Sequence, residues 1–305
     1  YVGKDGQAAL VDSQLFLPDA WALNSARRKK VHVPLEVEAL TKVQIAMGIV
    51  KRMDEELPFS QVTADEAYGR STAFRDTLIT LNKWYAVEVP CNTQVKPIHG
   101  PESARFRRAD GLCKLLKRER PLDRVLVAYG EKGPIHVHAM MLDVWTKRGK
   151  GRAQETLLYT EDSSGEKKFY LTHLPANATI TSAVRMARTR HRIEEVFGEA
   201  KGEVGMDHFE CRAWHGWHHH MTLVQISHWF LVREQRRLGK KMCGNLDQPG
   251  PSGCGQAHGS ALDSDTDDRV AQLQPASQRG VTSESLQSQG FRAAPSSMGA
   301  RMEVV

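Results

Sequence analysis

Between Pro34 and Pro90 the spacing of apolar residues switches back and forth between helical and strand periods, and this constrains the fold more than any other feature. Leu35–Leu57 carries Val37, Leu40, Ile45, Met47, Val50 and Met53 at roughly helical spacing, after Pro34. Phe59–Ala64 reads as a short strand that runs straight into Asp65-Glu-Ala-Tyr-Gly69. A second helix is expected over Ser71–Leu81, and a strand over Tyr85–Val89 that Pro90 ends. Upstream, Gly3-Lys-Asp-Gly6 is a turn, and Ala8–Leu17 alternates like the returning strand of a hairpin. Helices interleaved with strands that need crossovers imply an α/β sheet covered by helices.

From Cys91 to His173 the pattern is β-rich. Short runs at Arg124–Tyr129, Ile135–Trp145, Thr156–Tyr159 and Phe169–Thr172 follow a basic segment and are separated by turn residues. Helical character returns at Thr179 and continues to Lys201, and a last helix is expected over His218–Leu238. Residues 242–305 are rich in Gly, Ser, Gln and Pro, with Phe291 as a lone aromatic. Such a segment cannot bury enough apolar area to offset its ordering entropy, so a disordered tail is expected. The organisation is therefore a first core part at 1–92, a basic segment with a β-rich insertion at 93–175, a helical core part at 176–241 and the tail at 242–305. A chain of 305 residues is long enough to bury a sizeable core.

The net charge of +6 favours a polyanionic partner. Its cations cluster in Arg27-Arg-Lys-Lys30, in a run from Arg105 to Arg120, and in Lys147-Arg-Gly-Lys-Gly-Arg152, whose glycines suit a hairpin tip. Clusters of this kind suit contact with a phosphate backbone, although any one of them also serves as a solvated face. Cys91, Cys113, Cys211, Cys243 and Cys254 are scattered and lack a CxxC spacing, which points away from a disulfide framework or zinc ribbon and toward a reducing, cytoplasmic compartment. The most apolar stretch, Met221–Val232, is too short to span a bilayer and is broken by Gln225, Ser227 and His228, so no membrane partner is expected.

Two features carry chemistry. Arg190, Glu194 and Lys201 stand four and seven residues apart in a stretch with few helix breakers, which places them on one helical stripe. A carboxylate flanked by two cations suits a divalent metal held beside a phosphate; the same pattern also occurs on ordinary solvated helices. Asp65 follows directly on a strand and precedes a glycine-bearing loop, the place where open α/β sheets put their ligand crevice. It serves equally well there as a helix cap, and Glu66 stands ready to exchange roles with it. Asp65 and Glu194 together would supply the oxygen ligands that Mg²⁺ prefers, with phosphate completing the shell.

Several separated motifs resemble one family. Val62-Thr-Ala-Asp-Glu-Ala-Tyr-Gly69, Tyr85-Ala-Val-Glu-Val-Pro90, Arg192-Ile-Glu-Glu-Val-Phe-Gly-Glu-Ala-Lys201, Gly205-Met-Asp-His-Phe-Glu-Cys-Arg212 and Trp214-His-Gly-Trp217 resemble, in order, the bacterial insertion-sequence transposases of the DDE class. The subgroup they are most similar to has its last acid in a Tyr-Arg-Glu-Lys signature, and Ala9–Pro18 resembles the same group. The resemblance covers residues 1 to about 241. It implies an RNase H-like core interrupted by a β-rich insertion before the helix that bears Glu194. It also implies Asp65 and Glu194 as the second and third acids holding Mg²⁺ or Mn²⁺, and Arg190 and Lys201 on transposon-end DNA. The implied activity is strand cleavage followed by strand transfer. The implied partners are transposon ends, target DNA and a second copy of the chain, with no small-molecule substrate.

Two departures from the pattern matter. The Tyr position of the signature is Ala187, which removes one DNA-end contact. The family's first Asp lies on a core strand upstream of the hairpin that opens this chain, and Asp12 is a poor substitute because its surroundings match the later hairpin strand. The polypeptide is therefore expected to be N-terminally truncated and catalytically incomplete, with a non-catalytic DNA-binding remnant as the alternative. Cys211, His215, His218, His219 and His220 invite a zinc site, but no ligand spacing fits, and Trp214 and Trp217 suit packing better than base stacking.

Overall fold

The computed structural model describes residues 1–3, 6–99, 104–130, 133–210 and 212–242. The expected tail, Cys243, Cys254 and Cys211 lie outside the described residues, apart from Met242, which ends the last helix. In chain order the elements are α1 (Asp19–Ala22), α2 (Ser25–Lys30), α3 (Lys42–Glu56), β1 (Gln61–Ala64), α4 (Glu66–Gly69), α5 (Thr72–Thr80) and β2 (Trp84–Glu88). Then follow β3 (Gln94–Pro97), β4 (Arg107–Arg108), α6 (Ala109–Glu119), β5 (Asp123–Gly130), β6 (Gly133–Arg148), β7 (Gly151–Glu161) and β8 (Lys167–His173). The last three are α7 (Ile180–Thr189), α8 (Arg192–Val204) and α9 (Trp214–Met242).

The protein is mixed α/β, with flanking helices on an eight-stranded sheet of order β1-β2-β8-β7-β6-β3-β4; β5 pairs with the first half of β6. β1 and β2 are parallel, Gln61 opposite Trp84 through Ala64 opposite Val87. Every other described pairing is antiparallel, so the β-rich segment extends the same sheet outward from β2. Its hairpin β6–β7 turns at the expected glycines, with Gly149 at φ +52°.

Side chains alternate across this sheet. On one face Tyr85, Val87, Leu157, Tyr159, Phe169 and Leu171 pack with Phe74 and Leu78 of α5 and with Leu112 and Cys113 of α6. On the other face Ala86, Leu158 and Tyr170 pack with Ala183, Val184 and Met186 of α7. A third cluster joins Ala200 of α8 to Trp217, Met221 and Val224 of α9, with Leu10 and Leu15 laid against it.

Four boundaries differ from the sequence expectation. The helix expected from Leu35 starts at Lys42, because Thr41 and Gln44 form a capping box that satisfies the first-turn donors. Residues 9–17 form no named strand; Val2 bridges Ala8 just before them and Leu15 is a single bridge residue within them. Side chains anchor them as well: Asp12 pairs with Arg52 of α3 at 2.8 Å, and Ser13 accepts from Gln225 of α9 at 2.7 Å. The basic run around Arg108–Arg120 folds as α6, whose apolar residues Leu112, Cys113 and Leu116 reach the core. The Thr179–Lys201 stretch is two helices, joined at Arg190 and His191.

A buried polar cluster ties the β6–β7 hairpin to α5. Glu155, fully buried, accepts from Arg75 Nε at 2.9 Å, from the Tyr85 hydroxyl at 2.6 Å and from Thr146. Arg148 Nη2 lies 2.9 Å from the same carboxylate but out of line for a hydrogen bond, and its Nε donates to Asp76 at 2.8 Å. Arg75 also donates to the carbonyl of Gly69, the last residue of α4.

Candidate active site

Asp65 is the first residue beyond β1 and the N-cap of α4. Its Oδ1 accepts from the backbone amides of Ala67 at 2.9 Å and Tyr68 at 3.4 Å, so the capping role is real and holds the carboxylate in place. Four-residue α4 can sit this close to the sheet because Gly69 lacks a side chain: a Cβ there would overlap the Glu88 carbonyl oxygen and stand 3.2 Å from Val87 Cβ. Glu66 pairs with Arg70, at 2.5 Å on the exposed side of α4.

β1 and β2 pair in parallel as far as Ala64 and Val87, and Asp65 and Glu88 are the residues that follow that last pair on the two strands. Glu88 ends β2 opposite Tyr170 of β8, on the face that α7 covers. Burial, then the Glu88 carboxylate, push the Tyr170 phenol up to about 12, while Arg188 and Arg190 pull the other way. Glu88, Tyr170 and the C-terminal end of α7 therefore form one polar cluster.

Arg190 and His191 both keep right-handed helical backbone angles, yet the hydrogen bonds there are short-range: Ile193 donates to the Arg190 carbonyl and Glu194 to that of His191. The chain turns tightly between α7 and α8 and still presents Arg190 to Glu194, Nη2 to Oε1 at 2.8 Å. Arg190 Nε is 3.9 Å from Glu88 Oε2, and His191 Nδ1 is 3.0 Å from the other oxygen of Glu194. One guanidinium thus links a carboxylate of the sheet to a carboxylate of the helix. Lys201 is exposed in the last turn of α8, about 10 Å along the helix axis from Glu194 by helical rise. Arg190 and Glu194 are brought into contact, whereas Asp65 is held by the α4 amides and Lys201 stands apart. The single helical stripe expected for the three is interrupted by the α7–α8 turn, and Ala187 is buried against the sheet.

Glu88 carries no role in the sequence reading. The available signal was a carboxylate closing an apolar strand beside the Asp65 strand, which becomes informative only once the two strands are known to be adjacent and parallel. In donor chemistry Asp65, Glu88 and Glu194 fit a hard divalent cation, which takes oxygen ligands and needs only one or two carboxylates beside phosphate. They are not gathered: among the described residues no group of three or more His, Cys, Asp or Glu stands close enough to hold a metal ion. Two histidines of α9 pack against aromatic rings. His218 lies against the rings of Trp214 and Trp217, at 4.4 and 4.8 Å, and His220 against Phe209 at 5.3 Å. Among the described residues no helix is long and apolar enough to cross a membrane.

Residues 2–123, less than half of the chain, match the family described as DDE superfamily endonuclease. The matched span contains Asp65 and Glu88 and ends before α7 and α8. No curated protein matches the chain.

Proposed function

We propose that the chain is built as a transposase of the insertion-sequence DDE type, with an RNase H-like core, acting on DNA by metal-dependent strand cleavage and strand transfer. The observation that supports this reading is an Asp65 fixed at the end of a strand by its cap, in a chain whose first part matches DDE superfamily endonucleases, with Arg190 reaching from Glu88 of the neighbouring strand to the helix-borne Glu194. Asp65 and Glu194 are the residues that would hold Mg²⁺ or Mn²⁺, and such ions supply an activated water or 3′-hydroxyl and a stabilised leaving oxygen. The protein's own part is positioning and charge neutralisation. The α4 cap fixes Asp65; Arg190 orients Glu194 and, with the exposed Lys201, faces the anionic backbone of transposon ends.

The second reading is a DNA-binding remnant that does not cut. It is favoured by the lack of a three-ligand group among the described residues and by Arg190 standing between Glu88 and Glu194. This 305-residue polypeptide, assayed alone, is accordingly expected to bind DNA and to nick it weakly or not at all. The test combines Mn²⁺ binding followed by electron paramagnetic resonance with nicking of supercoiled plasmid. Asp65→Asn and Glu194→Gln are the variants, because Asn preserves the N-cap and the fold. Mn²⁺ binding lost in both variants supports the transposase site. Mn²⁺ binding indifferent to both, with DNA binding retained, leaves the remnant reading.

A further inference from the structure

The three basic runs of the sequence have different fates in the fold. In the first, Arg28 spends its guanidinium on the carbonyls of Pro34 and Val37, at 2.7 and 2.6 Å, and Arg27 lies over Trp21. In the third, Arg148 turns inward to Asp76 and Glu155, Arg152 lies over Trp145 at 4.3 Å and Lys147 over Phe106 at 5.3 Å. These two runs largely brace the protein. The run on α6 does not. Lys114, Lys117 and Arg118 share one helix face at three- and four-residue spacing, while the opposite face packs into the core.

That cationic face borders a cleft of about 680 Å³. Its far wall carries Lys167 at the start of β8, and Tyr159 and Phe169, 5.2 Å apart, line it as well. Arg108 stands at the N-terminal end of α6 and binds the one carboxylate of the lining, Asp110, at 2.7 Å. Glu161, beside Tyr159, is taken by Lys117 and by the Tyr159 hydroxyl. Lys114 and Arg118 are in no ion pair with a described residue, while Lys167 stands opposite Glu161 across β7 and β8 and helps hold that carboxylate low; all three cations line one concavity. Cations of like sign gathered over a low-dielectric floor concentrate the field into the cleft, and an anion relieves their repulsion. At Gly111, also in the lining, the space a Cβ would fill is open, so helix backbone is bare to an approaching ligand.

The cleft sits at the same end of the sheet as Glu88. Phe169 accepts from the Val89 amide, and its neighbour Tyr170 pairs with Glu88 across the strands. Tyr170 faces α7, and Phe169 faces α5 and α6. The α6 cleft and the Arg188–Arg190 end of α7 are therefore the two sides of one sheet end.

We propose that the α6 cleft is a second DNA-backbone site, separate from the carboxylate cluster, which holds phosphates of the duplex running away from the scissile phosphate. The inference rests on the reading of the chain as a DNA-acting protein, and it adds where flanking DNA lies. The cleft presents ammonium and guanidinium groups over an aromatic floor that is already buried. It grips phosphate without reading base sequence.

The experiment is fluorescence anisotropy of a labelled duplex with the full chain, across salt from about 50 to about 200 mM. The variant is Lys114→Gln/Arg118→Gln/Lys167→Gln, whose sites are exposed, with circular dichroism confirming an unchanged fold. Losing three phosphate contacts should reduce the slope of log K against log salt by about 2.7, and weaken low-salt binding at least about tenfold on any sequence. The control Lys29→Gln/Lys30→Gln, which removes two charges from α2, should leave the slope as in the wild type. An unchanged slope in the triple variant overturns the proposal, as does an equal loss per charge removed in the control. Tighter binding of duplex RNA than of duplex DNA, abolished by the triple variant, overturns it in favour of an RNA site. A wild-type chain that binds no DNA removes the functional reading itself, whereas wild-type binding untouched by the triple variant removes the cleft alone.

Discussion

Replacing Glu155 by Gln keeps the shape of the side chain and removes one buried charge. Three donors converge on that carboxylate: Arg75 Nε at 2.9 Å, the Tyr85 hydroxyl at 2.6 Å and the Thr146 hydroxyl, with Arg148 Nη2 also 2.9 Å away. Arg148 keeps Asp76 at 2.8 Å after the change. Arg75 keeps only carbonyls, those of Gly69 and Ser71, and its side chain is 4% exposed. A guanidinium left so deeply buried without its carboxylate costs about 3–5 kcal/mol. In a body of this size each kcal/mol lowers Tm by about 2–4 °C, so Glu155→Gln should melt about 6–20 °C below the wild type. Circular dichroism melts and urea titrations of the full chain measure this. Arg75→Met alone should also destabilise. Combining it with Glu155→Gln should cost less than the two separately, by about 1–3 kcal/mol, because the stranded charge is gone. A loss below about 1 kcal/mol for Glu155→Gln would show that water reaches Arg75, and that the cluster does not lock the hairpin to α5.

Two further perturbations probe the site's support and the protein's alkaline limit. Gly69→Ala must push α4 off β2, since the new methyl overlaps the Glu88 carbonyl; a loss of about 1–3 kcal/mol is expected, with Mn²⁺ binding weakened along with stability. If Gly69→Ala melts like the wild type, the close approach is not needed. At high pH the buried acids favour unfolding. Burial, then Asp110, push the Cys113 thiol up to about 12; burial, then Asp65, push the Tyr68 phenol up to about 12; and Tyr170 stands at about the same value. Unfolded, these groups ionise near about 8.5 for Cys and about 10 for Tyr, so the folded chain holds their protons longer. Stability is then full below about pH 8.5 and declines as pH rises toward 12. Iodoacetamide at mildly alkaline pH should modify exposed Cys91 and spare buried Cys113 until the protein unfolds, as read by peptide mass mapping; equal labelling of the two would refute the burial argument.

Legibility in the sequence followed the range of the interactions involved. Segments whose fate is decided within a dozen residues read correctly: α5 and β2 fall within a residue of expectation, and the β6–β7 turn lies at the expected glycines. Asp65 was placed by the same local logic, a strand followed by capping residues. Residues 9–17 did not read correctly, because the alternation that suggests a strand also suits a segment pinned by Arg52 and Gln225, from elements far along the chain. The start of α3 was misjudged because Pro34 is a weaker start signal than the Thr41–Gln44 box seven residues on. The α7–α8 turn left no mark, since Arg190 and His191 keep helical backbone angles and no Gly or Pro announces the break.

Charge runs show most sharply why sequence alone cannot assign a binding surface. Arg27–Lys30, Arg105–Arg120 and Lys147–Arg152 look equivalent as strings, each a concentration of cations between less charged segments. What separates them is the supply of internal acceptors within reach of each head group. Arg28 finds carbonyls nine or fewer residues away, and Arg148 finds Glu155 because the hairpin folds β7 back along β6. On α6 the helix itself consumes its carbonyls, and the i, i+3, i+4 spacing that sends Leu112, Cys113 and Leu116 inward turns Lys114, Lys117 and Arg118 together toward the cleft. Lys117 is taken by Glu161 of β7, so on α6 the cations left for an outside phosphate are Lys114 and Arg118, which the local backbone geometry cannot satisfy.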